Sequence, residues 1–174
     1  RRLEFRPAVF RHALAACARR GDLRSGERAL AVLRAGGFRP NAALYNSAIL
    51  LFGACGDWER AVAVAEEMKA TPGASPGPAT WRHLLVACGT SLGPAQARAL
   101  FDRMQLGGPV PRECYSGAVE AACVGRGGGD PRLALGLLRE MEREAARRGD
   151  GSCAPGARDF DAVVGCCARH GMWR

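Results

Sequence analysis

The chain has 174 residues, 48% of them hydrophobic and 24% charged, which is enough apolar surface for a folded core. Aromatics are only 6%, and no uncharged apolar run approaches the roughly 18 residues of a transmembrane helix, which excludes a helical membrane-spanning protein. Basic residues outnumber acidic ones 25 to 17, a balance that suits a polyanionic partner, nucleic acid before membrane surface.

Helical patterns then follow one another along the chain. The first opens at Phe10 over residues 7–19, and a second, over 23–36, carries the weak stripe Gly26, Ala29, Leu30, Leu33. Residues 42–54 repeat the first pattern, with Tyr45, Ile49 and Phe52 as the buried stripe. Residues 57–70 repeat the second as Ala61, Val64, Ala65, Met68. The pair returns at 78–91, opened by Trp81, and at 94–106 as Ala97, Leu100, Phe101, Met104. It returns again at 112–124, opened by Tyr115, and at 131–148 as Ala134, Leu137, Leu138, Met141. A last first-type pattern, opened by Phe160, covers 157–169. Apolar residues at i, i+3, i+4 and i+7 make one face of a helix. The opening aromatics stand 35, 36, 34 and 45 residues apart, so the chain is a repeat.

The punctuation fits a two-helix unit. Gly21-Asp22, Gly56-Asp57, Gly93-Pro94 and Asp130-Pro131 separate the helices of a pair, glycine after the stop and Asp or Pro at the start. Arg39-Pro40-Asn41, Pro76-Gly77-Pro78, Val110-Pro111 and Pro155-Gly156 turn the chain between pairs. One hairpin cannot bury both of its stripes, so stacked hairpins must complete the core. The predicted fold is all-α, a right-handed α-solenoid of antiparallel helix hairpins. The sequence starts at Arg1-Arg2-Leu3 and stops at Met172-Trp173-Arg174 inside an unfinished unit, and it reads as an excerpt of a longer protein.

The chemistry-bearing residues do not assemble into a reaction centre. The eight cysteines include no Cys-x-x-Cys pair, which argues against a zinc site. Cys17, Cys88, Cys123 and Cys167 recur late in successive first helices, as small thiols filling one packing slot. Gly125 to Asp130 superficially suggests a phosphate loop but lacks the Gly-Lys-Ser/Thr ending and follows no strand, so it reads as a lengthened turn. His12 and His83 share one repeat position and read as packing or surface residues. No cofactor, metal or small-molecule substrate is implied, and the chain is not expected to be an enzyme.

The segment Pro40-Asn41-Ala42-Ala43-Leu44-Tyr45-Asn46-Ser47-Ala48-Ile49, then Cys55-Gly56-Asp57-Trp58-Glu59-Arg60-Ala61 and Glu66-Glu67-Met68, resembles a pentatricopeptide repeat. The resemblance extends over an array filling residues 1–174, with repeats at about 7–41, 42–77, 78–111 and 112–156 and a partial one at 157–174. It implies binding of single-stranded RNA, about one base per repeat, in mitochondria or chloroplasts. It also implies that the fifth residue of each first helix and the last residue of the repeat read the base. The fifth positions here are Arg11, Asn46, Arg82, Ser116 and Asp161. The closing positions are Asn41, Gly77, Pro111 or Arg112, and Gly156. Arg19 and Arg169 stand where the family often has a phosphate-contacting lysine. Two other readings stay open: a protein-interaction scaffold in an organellar assembly, and an RNA-processing enzyme whose catalytic domain lies outside these residues.

Overall fold

A computed structural model describes residues 7–37, 40–125, 127–149 and 151–172. Arg39 of the first inter-repeat turn, Arg126 of the glycine-rich turn, Arg1-Arg2-Leu3 and Trp173-Arg174 lie outside the described residues. Among those described are nine α-helices and no strand. They are α1 (Pro7–Arg20), α2 (Leu23–Ala35), α3 (Ala42–Ala54), α4 (Trp58–Ala70), α5 (Pro78–Ser91), α6 (Pro94–Leu106), α7 (Arg112–Val124), α8 (Pro131–Arg148) and α9 (Ala157–Arg169).

The starts and stops have local causes. Helix α4 begins one residue later than its periodicity suggests because Asp57 is its cap, with Oδ1 accepting from Arg60 N–H at 3.1 Å. Asp22 and Asn41 cap α2 and α3 in the same way, each at 3.0 Å. Asp130 accepts from both Arg132 and Leu133 at the start of α8. Gly56 ends α3 with φ +76°, and the following Asp57 N–H reaches back to Phe52 O at 2.8 Å. Gly125 and Gly127–Gly129 belong to an interhelix turn, which follows α7 and leads through the Asp130 cap into α8.

The helices form two layers. First helices α1, α3, α5, α7 and α9 pack side by side as an inner layer. Each second helix packs on its own first helix and on the next one. The stripes meet in the core between the layers: Ala61, Val64, Ala65 and Met68 are buried, as are Ala134, Leu137, Leu138 and Met141. Phe10, Tyr45 and Tyr115 are buried with them, and Phe101 meets Tyr115 edge-on at 4.9 Å between ring centroids. Ala74, Val110 and Cys153 plug the core from the turns between hairpins. Phe160 breaks the pattern, being 42% exposed, because among the described residues no helix follows α9 to cover it.

Small residues set the spacing of the inner layer. A β-carbon on Gly53 of α3 would lie 2.6 Å from that of Ala87 on α5. One on Gly89 of α5 would lie 2.8 Å from that of Ala121 on α7 and 2.7 Å from its carbonyl oxygen. Between second helices the links are long side chains instead: Arg34 to Glu67 at 3.0 Å, Arg60 to Glu27, and Arg98 to Glu140 at 2.7 Å. The first helices therefore pack on one another backbone to backbone, while the second helices are linked across a wider gap by side chains. The fold is an all-α helical-repeat solenoid.

The cysteines are packing residues with one change of slot. Cys88 is buried where Cys17 and Cys167 stand in their own helices, but Cys123 sits one place further on, in the slot of Gly53 and Gly89. Its thiol packs toward Cys166, and burial pushes it up to about 12. Among the described residues no disulfide joins any of the eight.

Candidate nucleic-acid interface

The five fifth-position residues stand one per first helix, at repeat intervals along the inner layer. Their environments differ sharply. Arg11 is exposed, its guanidinium 3.4 Å from His12 Nε2. Asn46 is half-buried and accepts from Thr80 Oγ1 of the next repeat at 2.8 Å. Arg82 is ion-paired to Glu120 of α7, with its Nε buried and unpartnered among the described residues. Ser116 is half-buried, and Asp161 is exposed with no ion pair among the described residues.

Two of the five share a groove. Arg82 and Ser116 line a cavity of about 180 Å³ together with Arg112, Glu113, Arg158 and Asp159. Three arginines converge there, yet their charge is largely answered from within. Asp159 is buried, lies 3.6 Å from Arg112 and accepts from Gly156 N–H at 2.8 Å. Arg112 also donates through Nε to Ala154 O at 2.9 Å. The groove therefore pairs fixed positive charge with neutral donors rather than presenting a bare cationic patch.

The closing positions serve the helix starts. Asn41 caps α3, and Gly77 is the N-cap of α5, where its N–H donates to Thr80 Oγ1 at 3.1 Å. A β-carbon at Gly77 would stand in open space. Pro111 precedes α7 in extended backbone, and Gly156 precedes α9. Arg19 is exposed and makes no ion pair among the described residues. Arg169 is engaged: Nη2 donates to Cys123 O at 2.8 Å, holding the end of α9 to that of α7. Thr90, at the same repeat position in α5, has its hydroxyl 2.9 Å from Gly53 O of α3 and 3.0 Å from Val86 O and Ala87 O of its own helix, three acceptors for one proton. The two residues do one structural job at two junctions.

Sequence reasoning passed over Thr80, Glu120, Arg112 as a groove residue, Arg158 and Asp159. Thr80 and Asp159 were within its reach, since each directly precedes an opening aromatic, Trp81 or Phe160. Among the described residues no group of His, Cys, Asp and Glu is arranged to hold a metal, and no helix is long and apolar enough to cross a membrane. His83, beside Arg82, is held well below the usual histidine range, at about 4, by burial and by that neighbouring guanidinium.

The comparisons with known proteins agree with this architecture. The family profile for the PPR repeat matches residues 43–70, the second hairpin. No curated protein sequence matches the chain significantly. Among solved structures, the pentatricopeptide repeat protein PPR10 in complex with an 18-nt psaJ RNA element aligns over 94% of this chain, with a TM-score of 0.69 and 26% identity. A crystal structure of PPR10 from maize aligns over 95% of it, with a TM-score of 0.59 and 16% identity, a likeness of fold. The chain spans 23% and 22% of those two chains. A helical hairpin that recurs near every 35 residues, carries the matched signature in its second copy and stacks as PPR10 does makes this chain a pentatricopeptide-repeat protein.

Proposed function

We propose that the chain is a single-stranded RNA-binding module of organellar RNA metabolism, without catalysis of its own, divided into repeats at about 7–41, 42–77, 78–111 and 112–156 with a partial repeat at 157–174. The observation that carries this reading is the row of fifth-position side chains, one per first helix, on the inner layer of a net basic solenoid. The RNA held by PPR10, which this chain matches in fold at 26% identity, supports it. Asn46 and Ser116 are the base-reading groups, able to donate or accept at a base edge. Arg11, Arg82 and Arg19 supply phosphate or stacking contacts. Asp161 is the fifth-position residue of α9, a polar, phosphate-repelling position, and Asn41 and Gly77 close their repeats. Arg169 contributes mainly by holding α9 on α7. Mitochondria or chloroplasts are the proposed location, by family.

The test is binding of single-stranded against duplex RNA over a salt series. Each neutralised phosphate of a single strand contributes a slope of roughly −0.7 in log K against log salt, so three to five contacts give about −2 to −3.5. Single strands should bind more tightly than duplex. A protein scaffold is the second reading, favoured by the internal engagement of Arg82, Arg112 and Arg169. No RNA binding at low salt, or a flat salt response, would leave that reading standing.

A further inference from the structure

Thr80 is the third residue of α5 and is fully buried. One of its hydrogen bonds belongs to its own helix start, where Oγ1 accepts from Gly77 N–H at 3.1 Å. The other crosses to the preceding repeat, where Oγ1 donates to Asn46 Oδ1 at 2.8 Å. Met68 Sδ, at 3.8 Å, is the competing acceptor, and a thioether accepts weakly. The single hydroxyl proton therefore goes to the amide oxygen.

That bond sets which way the amide faces. With Oδ1 turned to a buried hydroxyl, Asn46 offers Nδ2 and its two protons to the groove. Reversing the amide would leave the Thr80 proton only the thioether, a poor exchange for a buried donor. We propose that Thr80 is a positioning residue that makes Asn46 a donor-only reader of its base; this rests on the reading of Asn46 as a base-contacting residue. A free amide grips adenine through both ends, accepting from the amine and donating to the ring nitrogen beside it. Here the accepting end is taken, and Gly77 brings no side chain to replace it. Bases are selected by an acceptor facing Nδ2, and adenine loses its two-point contact. The device is particular to this junction: Val9, Leu44, Cys114 and Asp159 occupy the equivalent position elsewhere, and none carries a hydroxyl.

The experiment binds the whole chain to a pool of short single-stranded RNAs randomised at every position and sequences what is retained. Asn46→Ala identifies the nucleotide it reads as the position whose base preference flattens. Thr80→Val, which keeps the shape and loses the hydroxyl, should raise the adenine share at that nucleotide by about fivefold, the low end of one bidentate contact. Thr80→Ser should retain the wild-type profile. Asn46→Asp turns an acceptor to the groove and should move preference toward bases with an exocyclic amine, a readout that survives if Thr80→Val folds poorly. An unchanged adenine share in Thr80→Val beside a flattened Asn46→Ala profile overturns the positioning role and leaves base reading intact. A shift in Thr80→Ser equal to that in Thr80→Val also overturns it. Retention of RNA with no preference that Asn46→Ala alters overturns base reading by Asn46 and the positioning role together.

Discussion

Arg82 of α5 and Glu120 of α7 are ion-paired across the inner layer, so the most central cation of the proposed groove is not a free charge. Both side chains remain about one-third exposed, at 31% and 37%. Glu120→Gln should release the guanidinium and raise affinity for single-stranded RNA by about two- to fivefold at low salt, fading as salt rises. Stability should fall by no more than about 1 kcal/mol, the usual range for a partly exposed pair. Unchanged affinity in a titration at low salt would take Arg82 out of the RNA path.

Two glycines should respond to alanine with opposite signs. Gly89→Ala forces a methyl into Ala121 at a helix–helix contact and should cost about 1–3 kcal/mol. Gly136 lies inside α8, exposed, with open space about it, and Gly136→Ala should gain about 0.5–1 kcal/mol. Chemical denaturation of the two variants decides it. A neutral Gly89→Ala would mean that backbone approach does not set the inner spacing.

Thr90→Val removes the hydroxyl that reaches Gly53 O and should cost about 1 kcal/mol, with RNA affinity unchanged. Arg169→Ala removes the matching tie to Cys123 O and should also lower the melting temperature. Arg19→Ala has no such tie to lose and should weaken RNA binding at constant stability. Melting curves run beside RNA titrations separate the two arginines.

His83 gives the fold a pH dependence. Its folded value, about 4, lies below that of the unfolded chain, near 6.5, because burial and Arg82 oppose the charged ring. Between these values the unfolded state binds the additional proton, so stability falls as pH drops from about 6.5 to about 4. The loss should approach about 2–3 kcal/mol at the lower end. His83→Gln should flatten that part of the stability profile, measured by denaturation at pH 7 and pH 4.5; an equal slope in both proteins would assign the loss to other groups.

Much of the architecture is legible in the residues because it depends on local chemistry. Apolar stripes at helical spacing mark the buried faces, and Gly56-Asp57 stops one helix and caps the next within a few residues. Equivalence between repeats is legible for the same reason: Tyr45 and Tyr115 are read by the same pattern and buried in the same core. Contacts across the stack are a different matter. Arg82 reaches Glu120 over 38 positions and Arg169 reaches Cys123 over 46, and those partners depend on the pitch between helices. A repeat period says which residues are alike; it does not say which residues meet. Cys123 shows the limit from the other side, since sharing a residue type with Cys88 did not give it the same slot.

The two-layer construction makes the array mechanically lopsided. Its inner edge is a row of van der Waals fits such as Gly53 on Ala87, which lose energy steeply with any separation or slip. Its outer edge is held by half-exposed ion pairs such as Arg34 with Glu67, each worth under about 1 kcal/mol and weakened by salt. Straightening or tightening the coil moves mostly the outer edge, where little resists, while the inner helices pivot on their contacts. The solenoid is therefore a line of snug hinges under a loosely stitched back: its pitch can change while the spacing between successive fifth positions, set by the inner contacts, stays constant.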